Sequence, residues 1–138
     1  MERIKYIPGD LVKMVLDDKE QIVKVIGYDP TYKKYLLTNE YIHETRGCVS
    51  VKEDEIIPIS LTPEILDNNK WKRLKSKKYT WWKARLDGFY YFIKPNKDYP
   101  SVWELCRGNT RYRFKKIKYV HQLQHFIFGL DLSSNMNL

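Results

Sequence analysis

At 138 residues, 43% of them hydrophobic and 14% aromatic, the chain is long enough for one domain or for two small modules. That much apolar surface can offset the conformational entropy lost on folding, which excludes a largely disordered chain. No run approaches the roughly 20 uninterrupted apolar residues of a membrane span, and Met1-Glu2-Arg3-Ile4-Lys5 lacks the apolar core of a signal peptide, so a cytoplasmic protein with no membrane partner is expected.

The net charge of +8 is unevenly placed. Residues 1–69 carry nine Lys/Arg against thirteen Asp/Glu, whereas residues 70–138 carry sixteen against four. The basic half also holds every Trp and every Phe, so cations and stacking rings are interleaved there, which makes a polyanion the first partner class to consider.

From the start of the chain, Pro8-Gly9-Asp10 introduces an apolar alternation over residues 11–15, and Asp17-Asp18-Lys19-Glu20 forms the first turn. A second strand spans 22–28, and Asp29-Pro30-Thr31 supplies a turn with φ fixed by proline. Strands at 34–38 and 48–52 flank a polar excursion over 39–47, and 56–59 completes the set. Five short strands in this space predict a small barrel. The opening Gly9-Asp10-Leu11-Val12, followed by a turn and a Val/Ile-rich strand, resembles SH3-like barrels of the KOW and Tudor kind.

Thr62-Pro63-Glu64-Ile65-Leu66 is a helix start, with Thr62 as N-cap and Pro63 at the first helical position. Asp67-Asn68-Asn69 ends it, leaving a connector over 61–69. Strands follow at 79–86, 89–94, 102–107 and 111–119, the first two joined by Asp87-Gly88, which favours a type I′ hairpin, and the last two by Gly108-Asn109. Val120, Leu123, Ile127 and Leu130 recur at helical spacing, so an amphipathic helix over 119–130 is expected to cover the sheet, with 133–138 as a frayed tail. The fold class is α+β, mostly β: an SH3-like barrel over 1–60, the connector, and a four-stranded antiparallel meander plus helix over 70–138.

Two segments, Pro58-Ile59-Ser60-Leu61-Thr62-Pro63-Glu64-Ile65-Leu66 and the run from Tyr119-Val120-His121-Gln122-Leu123-Gln124 to Leu130, resemble a family of small uncharacterised proteins from Bacteroidota genomes and their phage-like elements. Its members have a β-rich front, the Leu-Thr-Pro-Glu connector and a closing Val-His-Gln-Leu-Gln helix. The resemblance implies no activity, but an association with mobile DNA favours nucleic-acid work.

The run from Lys70 to Lys78 leads into Trp81 and Trp82, so phosphate neutralisation and base stacking can coexist, a mixture suited to single-stranded nucleic acid or RNA. Lys72, Arg73, Lys75, Lys77 and Lys78 are the candidate phosphate contacts. Trp81 and Trp82 are adjacent in a strand, so only one of them can face outward and stack. Arg111, Arg113 and Lys115 form a second patch on one strand face, joined by Lys116 and Lys118. Against these stand a solvated loop at 72–78 and a patch screened by Glu53, Asp54 and Glu55.

The other constellations carry less. His121 and His125 are spaced i, i+4 but lack further ligands, which reads as exposed helix histidines and no metal site. Cys48 and Cys106 read as free, buried thiols, and the carboxylates Glu40, Glu44, Glu53, Asp54 and Glu55 as solvated loop groups. No cofactor loop or catalytic set is present in the sequence, and no oligomeric state is implied. The expectation is a noncatalytic nucleic-acid-binding protein of a mobile element. The alternative is a structural or adaptor module that binds another protein, with affinity insensitive to salt.

Overall fold

The structure is a computed structural model that describes residues 4–75, 80–99, 101–108, 113–130, 132–133 and 135–138, the side chains of Arg113 and Phe114 apart. The chain is mostly β and divides into two units, Met1–Ile59 and Ser60–Leu138. No helix of the described residues is long and apolar enough to cross a membrane.

In the first unit, β1 (Leu11–Leu16), β2 (Lys19–Asp29), β3 (Lys34–Thr38) and β4 (Val49–Val51) form an antiparallel sheet in chain order. Asp17 and Asp18 take positive φ of 53° and 62°, the paired left-handed geometry that lets a two-residue turn join twisted strands. Alternation sends Val12, Met14, Val23, Val25, Tyr35 and Leu37 to the buried face. The expected closed barrel does not form among the described residues. Where a fifth strand was expected at 56–59, Glu53–Glu55 makes a 3-10 turn, and Ile57 contributes a single bridge to Lys13, with N–H to O distances of 2.8 Å both ways.

The polar excursion contains α1 (Glu40–Arg46), which the hydrophobic pattern does not announce because Ile42 alone among its residues is buried. Asn39 starts it: its Oδ1 accepts the Ile42 N–H at 2.8 Å, satisfying one of the first-turn donors.

In the second unit α2 (Pro63–Asp67) is capped as expected, Thr62 Oγ1 accepting from Ile65 N–H. It belongs to this unit's core, since Leu66 is fully buried. The sheet has five strands, not four: β5 (Lys72–Lys75), β6 (Thr80–Leu86), β7 (Phe89–Pro95), β8 (Trp103–Arg107) and β9 (Arg113–Ile117), antiparallel in chain order. The extra strand is the cationic run itself. All four of its residues are exposed, so it shows no buried alternation, and its charges guard a sheet edge.

Asp87 and Gly88, at φ 51° and 81°, make the expected hairpin turn between β6 and β7. α3 (Val120–Gly129) buries Val120, Leu123 and Ile127 and sets Phe126 edge-on against Tyr91 at 5.3 Å. Tyr91 shares its sheet face with Trp82, Ile93, Trp103, Leu105 and Ile117, all buried, so α3 lies on that inner face. Trp82 and Trp103 meet edge to face at 5.4 Å, and Trp103 Nε1 donates to the Leu61 carbonyl at 3.0 Å. The segment after α3 is tied down where a frayed tail was expected: Asn137 hydrogen-bonds Asn69.

Candidate nucleic-acid interface

With α3 on the inner face, the opposite face of β6 and β7 presents Trp81, Lys83 and Arg85 from one strand and Tyr90, Phe92 and Lys94 from the other. Register fixes the grouping, since Lys83 stands opposite Phe92 and Arg85 opposite Tyr90, and directly paired residues share a face. Tyr90 is 47% exposed. Lys83 Nζ lies 4.2 Å from the Tyr90 ring centroid and 5.8 Å from that of Phe92, and the Arg85 guanidinium is 5.8 Å from Tyr90. The Trp81 ring meets Phe92 edge-on at 6.0 Å. Cations and π faces therefore occur in one small area, each held by a strand.

The two tryptophans separate as strand geometry requires. Trp81 is half-buried on the outer face, whereas Trp82 is 3% exposed and belongs to the core. Trp82 is further committed through its indole, whose Nε1 donates to Asp67 Oδ1 at 2.9 Å. Arg73, opposite Trp82 in β5, also donates to both carboxylate oxygens of Asp67, and its guanidinium lies 5.2 Å from the Trp82 ring. Arg73 is thus a structural clamp between α2, β5 and β6, not the free phosphate contact expected of it.

Hydrogen bonds from Trp82 and then Arg73 hold the Asp67 carboxyl below its ordinary value of 3.8. A carboxyl whose folded-state pKa is lowered contributes stability that is complete above its unfolded value and lost as pH falls through the folded one. Asp67→Asn is therefore expected to leave a shallower acid limb, its melting temperature falling less than wild type between about pH 4 and pH 2. Melting curves across that range check it; parallel limbs would contradict the clamp.

Lys72 is exposed opposite Lys83, and Lys75 is exposed opposite Thr80. Among the described residues no carboxylate pairs with Lys72, Lys75, Lys83 or Arg85, whereas Lys94 meets Glu104 at 3.7 Å. Lys77, Lys78 and Arg111 lie outside the described residues, as does the Arg113 side chain. Of the second patch, Lys115 is not on the outer face. Register passes from Leu105↔Lys115 to Cys106↔Arg113, so residues two apart in β9 stand opposite neighbours in β8. Lys115 consequently shares the inner face with Leu105 and is half-buried, while Lys116, opposite Glu104, is exposed.

Two further expectations are corrected. His121 is buried at 3% exposure, its ring stacked on Tyr119 and 5.5 Å from that of His125. Among the described residues no three His, Cys, Asp or Glu side chains converge as a metal site would need. Cys106 is buried as expected, but Cys48 is exposed, because α1 ends at Arg46 and the chain reaches β4 only at Val49.

Comparison of the chain with protein-family models, curated proteins and solved structures finds no match. The functional reading rests on geometry.

Proposed function

We propose that the chain is a noncatalytic binding protein for single-stranded nucleic acid or RNA, with the outer face of β6 and β7 as its stacking surface. The observation that carries this reading is the Lys83–Tyr90 couple at 4.2 Å beside Phe92 and Trp81, on a sheet face opposite the covering helix. Tyr90 and Phe92 are two residues apart in a strand, so their rings are spaced by about 6.8 Å, roughly twice the ~3.4 Å rise between stacked bases. A base on each ring must therefore be unstacked from its neighbour. Extended single strands meet that condition and duplexes do not.

Lys72 and Lys75 on β5, with Lys83 and Arg85, would follow the backbone. We read the first unit as an SH3-like sheet left open, which serves as a platform. The resemblance to proteins of Bacteroidota phage-like elements agrees with work on mobile nucleic acid in the cytoplasm.

The test is a salt titration of fluorescently labelled single-stranded DNA, RNA and duplex. Four phosphate contacts give a slope of log K against log salt of about −2 to −3 for single strands, with duplex bound more weakly. Failure to bind any of the three at low ionic strength would overturn the reading.

A second reading, a protein-binding adaptor, draws on the outer face of the first sheet, where Val15 and Ile22 are 58% and 41% exposed. It requires affinity that salt leaves unchanged.

A further inference from the structure

A cavity of about 360 Å³ in the second unit lies between Asn69, Trp71, Ala84, Arg85, Ile127 and Met136. Its upper side is formed by the chain itself, since Leu132 and Met136 of the segment after α3 line it and are half-buried. Leu132 N–H donates to the Ile127 carbonyl at 3.4 Å, and the Asn69 side chain holds the segment further on, at Asn137. Asn69 Nδ2 donates to the Asn137 carbonyl at 2.8 Å, and Asn69 Oδ1 accepts the Asn137 N–H at 2.6 Å. The amide is set in advance for this task, because Nδ2 also donates to the Ile65 carbonyl at the end of α2, at 2.7 Å, which leaves Oδ1 facing the incoming N–H.

A carboxamide that reads both main-chain groups of one residue recognises peptide backbone whatever the side chain. Selectivity falls to the cavity, whose lining includes Trp71, Ile127 and Met136.

The cavity holds a second backbone-reading element. Tyr90's carbonyl accepts from Gly108 N–H at 2.8 Å, so it points toward β8, and the Arg85–Tyr90 pair is of the non-hydrogen-bonded kind. Alternation then turns Arg85's own N–H and C=O toward the β5 side of the sheet. β5 has ended there, its pairing with β6 beginning only at Lys72↔Lys83. Among the described residues the segment after α3 makes no backbone hydrogen bond to Arg85. The edge is thus able to pair with a strand, and among the described residues the segment that shares the cavity lining does not use it.

We propose that this cavity is a peptide-binding groove held in cis by the segment after α3, through Leu132, Met136 and Asn137. Its partner is an extended peptide that gives one backbone N–H and C=O pair to Asn69, an unbranched apolar side chain to the Trp71–Ile127 floor, and strand pairing to Arg85. The cis segment, with two hydrogen bonds to Asn69 and two half-buried apolar side chains, is a displaceable occupant. It lowers the apparent affinity for a partner by the fraction of molecules in which it is seated.

The probe is a fluorescein-labelled, C-terminally amidated peptide of sequence Leu-Ser-Ser-Asn-Met-Asn-Leu, followed by anisotropy with the full chain. Asn137→Pro in the protein removes the N–H that donates to Asn69 while leaving the groove intact, so it is expected to bind the probe about tenfold more tightly than wild type. Asn69→Ala is expected to lose binding by at least about tenfold. The same loss is expected when the probe is N-methylated at its sixth residue, which tests the contact without altering the protein. Binding that ignores both the N-methyl group and Asn69→Ala, or no binding to Asn137→Pro, overturns the proposal.

Discussion

Replacing Leu123 by Ala is expected to destabilise the second unit by about 2 to 5 kcal/mol, a large part of the ~5 to 15 kcal/mol that holds a typical domain. Leu123 is fully buried on α3, between Val120 at 0% and Ile127 at 8% exposure. The loss combines the transfer free energy of three carbons with the cavity left in a packed core that relaxes only in part. Phe128→Ala on the same helix is the control, since Phe128 is 61% exposed and its loss should change stability by no more than about 0.5 kcal/mol. Urea unfolding followed by tryptophan fluorescence makes the measurement local, because Trp71, Trp81, Trp82 and Trp103 all lie in this unit. Equal midpoints for Leu123→Ala and wild type would contradict the packing of α3 on the sheet.

Elements with strong local chemistry were legible from residues alone. Asp87-Gly88 specified its hairpin, Thr62-Pro63 its helix start, and Val120, Leu123 and Ile127 the buried stripe of α3. What escaped has a common cause. β5 and α1 bury almost nothing, so neither imposes a hydrophobic period: β5 is exposed throughout and α1 buries only Ile42. Both are held by partners distant or non-aliphatic, β5 by pairing with β6 and α1 by the Asn39 cap. The barrel failed for the converse reason. Ile56, Ile57 and Ile59 look like a strand, but Pro58 lacks the N–H that a continued ladder needs, and pairing stops at the single Ile57 bridge.

At the candidate site, alternation resolved the Trp81–Trp82 ambiguity in principle but not in direction, which depended on where α3 docks. The same alternation contained the residues that were overlooked. Lys83 and Arg85 share parity with Trp81, and Tyr90 and Phe92 face them across the hairpin that Asp87-Gly88 fixes, so the cluster follows from counting back from the turn. A run of cations was the louder signal and the less reliable one. Arg73 is consumed by Asp67, and Lys115 is carried to the inner face by a register shift that no periodicity displays.

Tyr90→Ala is expected to weaken binding of single-stranded oligonucleotide roughly five- to 150-fold, the worth of about 1 to 3 kcal/mol for one stacked base. Tyr90→Phe keeps the π face and should bind within about twofold of wild type. Removing the ring also removes the seat of the Lys83 ammonium at 4.2 Å, so part of the loss is electrostatic. Lys83→Met separates the two: it should lower affinity and reduce the salt slope by about 0.7, whereas Tyr90→Ala should lower affinity with most of the slope retained. Trp82→Phe serves as the opposite control, because its indole serves Asp67 and the core, so it should reduce thermal stability while leaving the affinity of the folded protein unchanged. A Tyr90→Ala protein that binds like wild type would place the nucleic acid elsewhere, and a salt slope insensitive to Lys83 would remove the cation–aromatic couple from the binding surface.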